Sequence, residues 1–141
     1  GFASRRNATV GNGGGRIVVA DAATLDLQGD VAGAGRLVKE GAGTLALGGT
    51  NTYAGGTVVE AGTLRVARDA NLGGGALTLN NSRLHATAGF ATGRDATLSG
   101  RASIDTDDRA TLHNGSSLAA TASFATARTA TLSGAAAIDT A

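Results

Sequence analysis

The chain has 141 residues, enough for one domain, and holds 23 glycines with no Pro, Cys, Met or Trp. The lack of cysteine excludes disulfides, thiol chemistry and cysteine zinc sites, and 3% aromatics excludes a core built on rings. With 12 Lys and Arg against 11 Asp and Glu the net charge is +1, so neither nucleic acid nor anionic lipid is indicated as a partner. No apolar run approaches the ~20 residues of a membrane helix.

From the N-terminus, large apolar residues recur at a nearly constant step: Phe2, Val10, Ile17, Leu25, Val31, Leu37, Leu45, Tyr53, Val58, Leu64, Leu72, Leu77, Leu84, Phe90, Leu98, Ile104, Leu112, Leu118, Phe124, Leu132 and Ile138. From 2 to 138 this makes 20 steps of about 6.8 residues. Such a step is too long for helix or strand periodicity and fits short strands separated by turns. In Ala23-Thr24-Leu25-Asp26-Leu27, alternation turns Leu25 and Leu27 inward and Thr24 and Asp26 outward. The Thr-Leu pair returns at Thr44-Leu45, Thr63-Leu64, Thr97-Leu98, Thr111-Leu112 and Thr131-Leu132. Gly11 to Gly15, Gly48-Gly49, Gly73 to Gly75, Asn80-Asn81 and Asn114-Gly115 supply corners where φ is positive.

Three steps make a period of about 20 residues, visible in the columns Leu64, Leu84, Ile104, Phe124 and Leu98, Leu118, Ile138. Residues 84–106 and 118–140 are a duplicated strand-turn unit, matching at 17 of 23 positions with an offset of 34. That offset is five steps, so the second copy falls on a different face. It fits there because every face asks for a short strand with an apolar residue pointing in. The prediction is an all-β, three-faced parallel β-helix of about seven rungs of ~20 residues, one unit over residues 1–141. Missing proline suits a ladder that needs every N–H. The 42% hydrophobic share opposes disorder, and an antiparallel sandwich would space its strands at 8–12 residues. The last unit breaks off at Ile138-Asp139-Thr140, so the reading expects a longer parent carrying any targeting signal.

Candidates for chemistry are few. His85 and His113 each neighbour an inward leucine and are expected to face outward, without a convergent second ligand. Asp105, Asp107 and Asp108 lack the terminal carboxylate of a calcium loop and read as a corner. A lyase-like patch of Arg94, Arg101, Arg109, Asp105 and Asp107 has no aromatics for sugar stacking. No G-x-S-x-G elbow exists, and neither Gly33-Ala34-Gly35 nor Gly41-Ala42-Gly43 continues into a phosphate loop. The reading is non-enzymatic, with no catalytic, cofactor or metal residue.

Residues 35–66 read GRLVKEGAGTLALGGTNTYAGGTVVEAGTLRV. The string closely resembles the passenger-associated repeat of bacterial autotransporters, the type V secretion proteins. The residues that carry it are Gly35, Leu37 and Lys39; Gly41, Gly43, Thr44, Leu45 and Leu47; Asn51, Thr52, Tyr53, Gly55 and Thr57; Gly62, Thr63, Leu64 and Val66. The resemblance implies a right-handed β-helix passenger, an adhesin-type stalk, that crosses the periplasm and outer membrane of a Gram-negative cell. It implies passage through a C-terminal translocator β-barrel of the same polypeptide, then surface display or release. The repeat is associated with secretion and folding. A cysteine-free chain suits such a route. Host surface or matrix molecules are the implied partners of a monomer whose open strand edges offer end-to-end association. The alternatives are the shaft of an enzymatic passenger and a free secreted solenoid such as a polysaccharide-binding protein. The expected inward set is Leu37, Leu45, Leu47, Val58, Leu64 and Val66.

Overall fold

Short alternating segments bounded by glycine and asparagine form strands of three or four residues. The computed structural model describes the backbone of residues 1–88, 90–92, 94–106, 112–114, 117–120 and 137–140, and the side chains of 1–88 and 94–104. The first turn runs through β1 (Phe2–Ser4), β2 (Ala8–Val10) and β3 (Gly15–Val18), and the second through β4 (Thr24–Leu27), β5 (Val31–Gly33) and β6 (Leu37–Glu40). The third takes β7 (Thr44–Leu47), the stretch 51–54 and β8 (Thr57–Val59). The fourth takes β9 (Thr63–Val66), a 3-10 turn at Asp69–Leu72 and β10 (Leu77–Asn80). The fifth takes β11 (Arg83–Ala86), β12 (Phe90–Thr92) and β13 (Ala96–Ser99). Then come β14 (Ser103–Thr106), β15 (Leu112–Asn114), β16 (Ser117–Ala120) and β17 (Ala137–Thr140).

Pairing is parallel throughout, and the chain visits three faces in rotation. Face one is β1-β4-β7-β9-β11-β14, and face three is β3-β6-β8-β10-β13-β16-β17. Face two holds the pairs β2-β5 and β12-β15. Residues 51–54 and the 3-10 turn bridge the gap in face two: Thr52 N donates to Val31 O at 2.8 Å and Gly74 N to Tyr53 O at 2.8 Å. The all-β solenoid predicted from the apolar step is therefore the observed fold.

Phe2, Leu25, Leu45, Leu64, Leu84 and Ile104 stack in one column, so among the described residues face one spans five turns from its first strand to its sixth, slightly different from the seven rungs expected of the whole chain. The higher figure divided the whole length by the period, and residues 121–136 lie outside the described residues. One column also shifts. Leu118 stacks on Ala96 and Ala120 on Leu98, so the expected Leu98–Leu118 pairing is offset by two residues. Leu84 lies on face one and Leu118 on face three, and Ile104 and Ile138 are divided in the same way.

The core is a stripe of inward side chains running through the coil. Leu37, Leu45, Leu47, Leu64 and Val66 are buried. Val58 is not: in β8 the inward positions are Thr57 and Val59, and Val58 is half-exposed on the outer surface. The apolar step counted the valine of the Thr-Val-Val run that stands outside. Leu25 and Leu27 pack against the core yet stay half-buried, and Phe2, their neighbour in the first turn, is 67% exposed.

Among the described residues, each corner from face three to face one contains one residue with positive φ: Ala22 (59°), Gly41 (80°), Gly62 (70°), Asn81 (47°) and Gly100 (64°). Gly62 is required twice over, because a Cβ there would also run into Gly43 O. Ala22 is the member no turn preference selects, and Asp21 Oδ1 accepts its amide at 2.9 Å.

Leu45 and Leu64 are register partners with no exposed surface. Each truncation to alanine is expected to cost about 2–5 kcal/mol. The double variant Leu45→Ala, Leu64→Ala should therefore lose most of its folding stability in a urea titration followed by circular dichroism. An unchanged midpoint contradicts the packing described.

Candidate functional site

The residues singled out between 35 and 66 divide into an apolar set and a polar set, and the fold buries much of both. Lys39, Asn51 and Thr57 are buried beside Leu37, Leu45, Leu47, Tyr53, Leu64 and Val66. Thr44 and Thr63 are half-buried register partners at the starts of β7 and β9, and Thr52 is exposed. Gly35, Gly43 and Gly55 sit where turns touch, since an added Cβ would run into Gly11 O, Ala20 O and Arg36 N respectively.

Alternation in β6 aims Lys39 inward, in register with Ile17 and Val59. Its ammonium donates to the carbonyls of Glu40 at 3.1 Å, Gly41 at 2.6 Å and Ala61 at 3.0 Å. One side chain thus ties the corners that close the second and third turns. No carboxylate joins these contacts, and burial lowers the pKa of the lysine from its ordinary value.

Asn51 and Asn71, 20 residues apart, occupy the corner that leaves face one. Asn51 Oδ1 accepts from Val31 N at 2.8 Å, and Asn51 Nδ2 donates to Asn71 O at 2.6 Å. Asn71 Nδ2 donates back to Gly49 O at 2.8 Å, while its Oδ1 accepts from Ala67 N and Arg68 N at 3.0 and 3.1 Å. The pair therefore links the second, third and fourth turns. Stacked asparagines of this kind satisfy backbone groups that a corner otherwise leaves without partners.

Thr57 Oγ1 donates to Leu72 O at 3.1 Å, which leaves it to accept from Tyr53 OH at 2.6 Å. The Tyr53 ring lies against Gly73, where a Cβ would come within 2.9 Å of it and where φ is +66°. Burial raises the tyrosine pKa, with the Thr57 hydrogen bond and the Arg94 charge opposing.

Arg94 has a role that the sequence reading missed. Its side chain is 9% exposed and reaches back from the fifth turn to the fourth. Nε donates to Asp69 Oδ1 at 2.8 Å, and the other nitrogens donate to the carbonyls of Asp69, Gly73 and Gly75 at 3.2, 2.9 and 3.0 Å. It holds the 3-10 turn in place. Most of its acceptors are backbone carbonyls, so no residue pattern signals it. The Asn51–Asn71 spacing, equal to the coil period, was the available signal for that pair.

His85 is half-buried between Leu84 and Ala86. Arg101 is exposed, and its backbone amide donates to Asn81 Oδ1 at 3.1 Å. Asp105 and His113 are described as strand backbone, and Asp107, Asp108 and Arg109 lie outside the described residues. Among the described residues no group of three His, Asp or Glu side chains is placed to hold a metal. The chemistry of this interior is hydrogen bonding between successive turns.

Residues 37–66, which hold Lys39, Asn51, Tyr53 and Thr57, match the family described as Passenger-associated-transport-repeat. Residues 37–66 carry a passenger-associated transport repeat. The transport repeat covers the second to fourth turns, the part of the described solenoid joined by Lys39, Asn51 and Thr57. Over 78 residues, 55% of its length, the chain is 38% identical to the adhesin BmaC autotransporter of Brucella suis biovar 1 (strain 1330). The match spans 2% of that protein. No solved structure matches the chain.

Asn51→Ala leaves Val31 N and Asn71 O without their side-chain partner, at about 1–3 kcal/mol for each buried group. A urea midpoint within error of the parent contradicts the role given to Asn51. For Lys39, burial makes the folded chain bind fewer protons than the unfolded chain between its lowered pKa and 10.5. Stability should therefore rise with pH through that window, and this contribution is lost as pH falls through the folded pKa. Lys39→Met should remove the alkaline rise from a series of urea titrations, and an identical pH slope in parent and variant overturns the assignment.

Proposed function

We propose that this segment is a structural part of an autotransporter passenger, a stalk rather than a catalytic unit, and that its transport repeat secures folding of the solenoid during secretion. The observation that carries the proposal is the coincidence of the matched repeat with the side chains that join one turn to the next. A solenoid grows by adding a turn to an exposed edge, and each turn is only marginally stable until the next covers it. Lys39, Asn51 and Thr57 add hydrogen bonds across that step to the backbone ladder. A nascent turn thus gains fixed partners at two of its three corners.

Display at the bacterial surface or release outside the cell follows as part of the proposal. So does the route across the periplasm and outer membrane through a translocator β-barrel of the same polypeptide. The relative named as an adhesin supports an adhesive role, with host surface or matrix molecules as partners. The segment works as a monomer, and its open strand edges allow end-to-end association when it is isolated.

The test is made in the parent polypeptide. Asn51→Ala combined with Lys39→Met should reduce the passenger exposed at the cell surface several-fold, measured by protease accessibility of intact cells. The amount of translocator barrel in the outer membrane should be unchanged. Equal surface exposure in variant and parent contradicts a role in secretion-coupled folding.

A further inference from the structure

We propose that a groove on the corner between faces two and three, spanning the first three turns, binds an acidic sugar residue through Arg36. The groove has a volume of about 430 Å³ and is lined by Asn12, Arg16, Arg36, Val38 and a floor of glycine backbone that includes Gly13 and Gly35. That volume lies in the range of small-ligand sites, roughly 300–1,000 Å³. At Gly35 and Gly55 the turns approach too closely for side chains: a Cβ on Gly35 would strike Gly11 O, and one on Gly55 would strike Arg36 N.

Three features set the ligand class. Arg36 is exposed, and among the described residues its guanidinium has neither an ion pair nor a hydrogen bond. Arg16, the second cation, is held by Glu40 at 3.2 Å, which leaves Arg36 as the groove's uncommitted charge. A guanidinium fork matches a carboxylate with two parallel hydrogen bonds. Asn12 is also exposed, and its amide has no partner among the described residues, so it offers both a donor and an acceptor. The apolar side chains at the groove are Ala34 and Val38, too little surface to seat the side chains of a peptide. A carboxylate on a ring bearing hydroxyls, a hexuronic acid, uses the fork, the amide and the backbone floor together.

The test is a two-dimensional amide NMR titration of the 141-residue chain with glucuronate, glucose, acetate and a short acidic peptide. Glucuronate should shift the amides of Gly13, Gly15 and Arg36, glucose should not, and acetate should bind roughly tenfold more weakly. Arg36→Gln should abolish the shifts, and Arg36→Lys should retain only part of the affinity, with thermal melting by circular dichroism as the control for folding. Equal binding of glucose and glucuronate overturns the proposal, as does tighter binding of the acidic peptide or unchanged binding by Arg36→Gln. The comparison of glucuronate with glucose on the parent chain decides the matter even if a variant folds poorly.

Discussion

Backbone amides on the inner strands donate to carbonyls one turn away, and this parallel ladder closes only if each turn returns to the same place. Leu45 over Leu25, Leu64 over Leu45 and Leu84 over Leu64 are consequences of that closure. The corners pay the geometric cost, with one residue of positive φ at each described passage from face three to face one. Between Leu98 and Leu118 the column slips by two residues. Side-chain identity is secondary in the strands, which need only an inward apolar group, and decisive at the corners.

The corners also explain why a narrow solenoid contains buried polar residues. A tight corner turns carbonyls and amides away from the strand ladder, and those on the inner side need partners from buried side chains. Lys39 answers three carbonyls, Asn51 and Asn71 answer amides and carbonyls on three successive turns, and Arg94 answers the 3-10 turn. These side chains lie across the seam between turns, so they join local closure to long-range stacking. A segment built this way suits a protein whose turns must form one on another, which is the role proposed for the transport repeat.

The fold was legible because its determinant is periodic. An apolar residue every seven positions and a column every 20 name three short strands per turn without any knowledge of contacts. Val58 shows the limit of that reading: in Thr57-Val58-Val59 the periodic count selects the valine on the outer surface, because hydropathy cannot tell that Thr57 is the residue with buried partners. Lys39 was visible as part of the repeat, yet its charge gave no hint that it lies inside the coil. Arg94 was visible only as one of several arginines, since its partners are mostly backbone carbonyls brought close by the 3-10 turn. Periodicity reveals where the chain turns, and the hydrogen bonds that hold the turns depend on geometry the residue order does not print.

Residue-resolved amide hydrogen exchange on the native chain tests the central claim most directly. If the polar interior of the repeat is the firmest part of the stack, Val31, Leu37 and Thr57 will be the slowest to exchange. Ala8 and Gln28, whose amides bridge the first and second turns, will exchange at least about tenfold faster. Protection that is uniform along the rod, or greatest in the first turn, would contradict it.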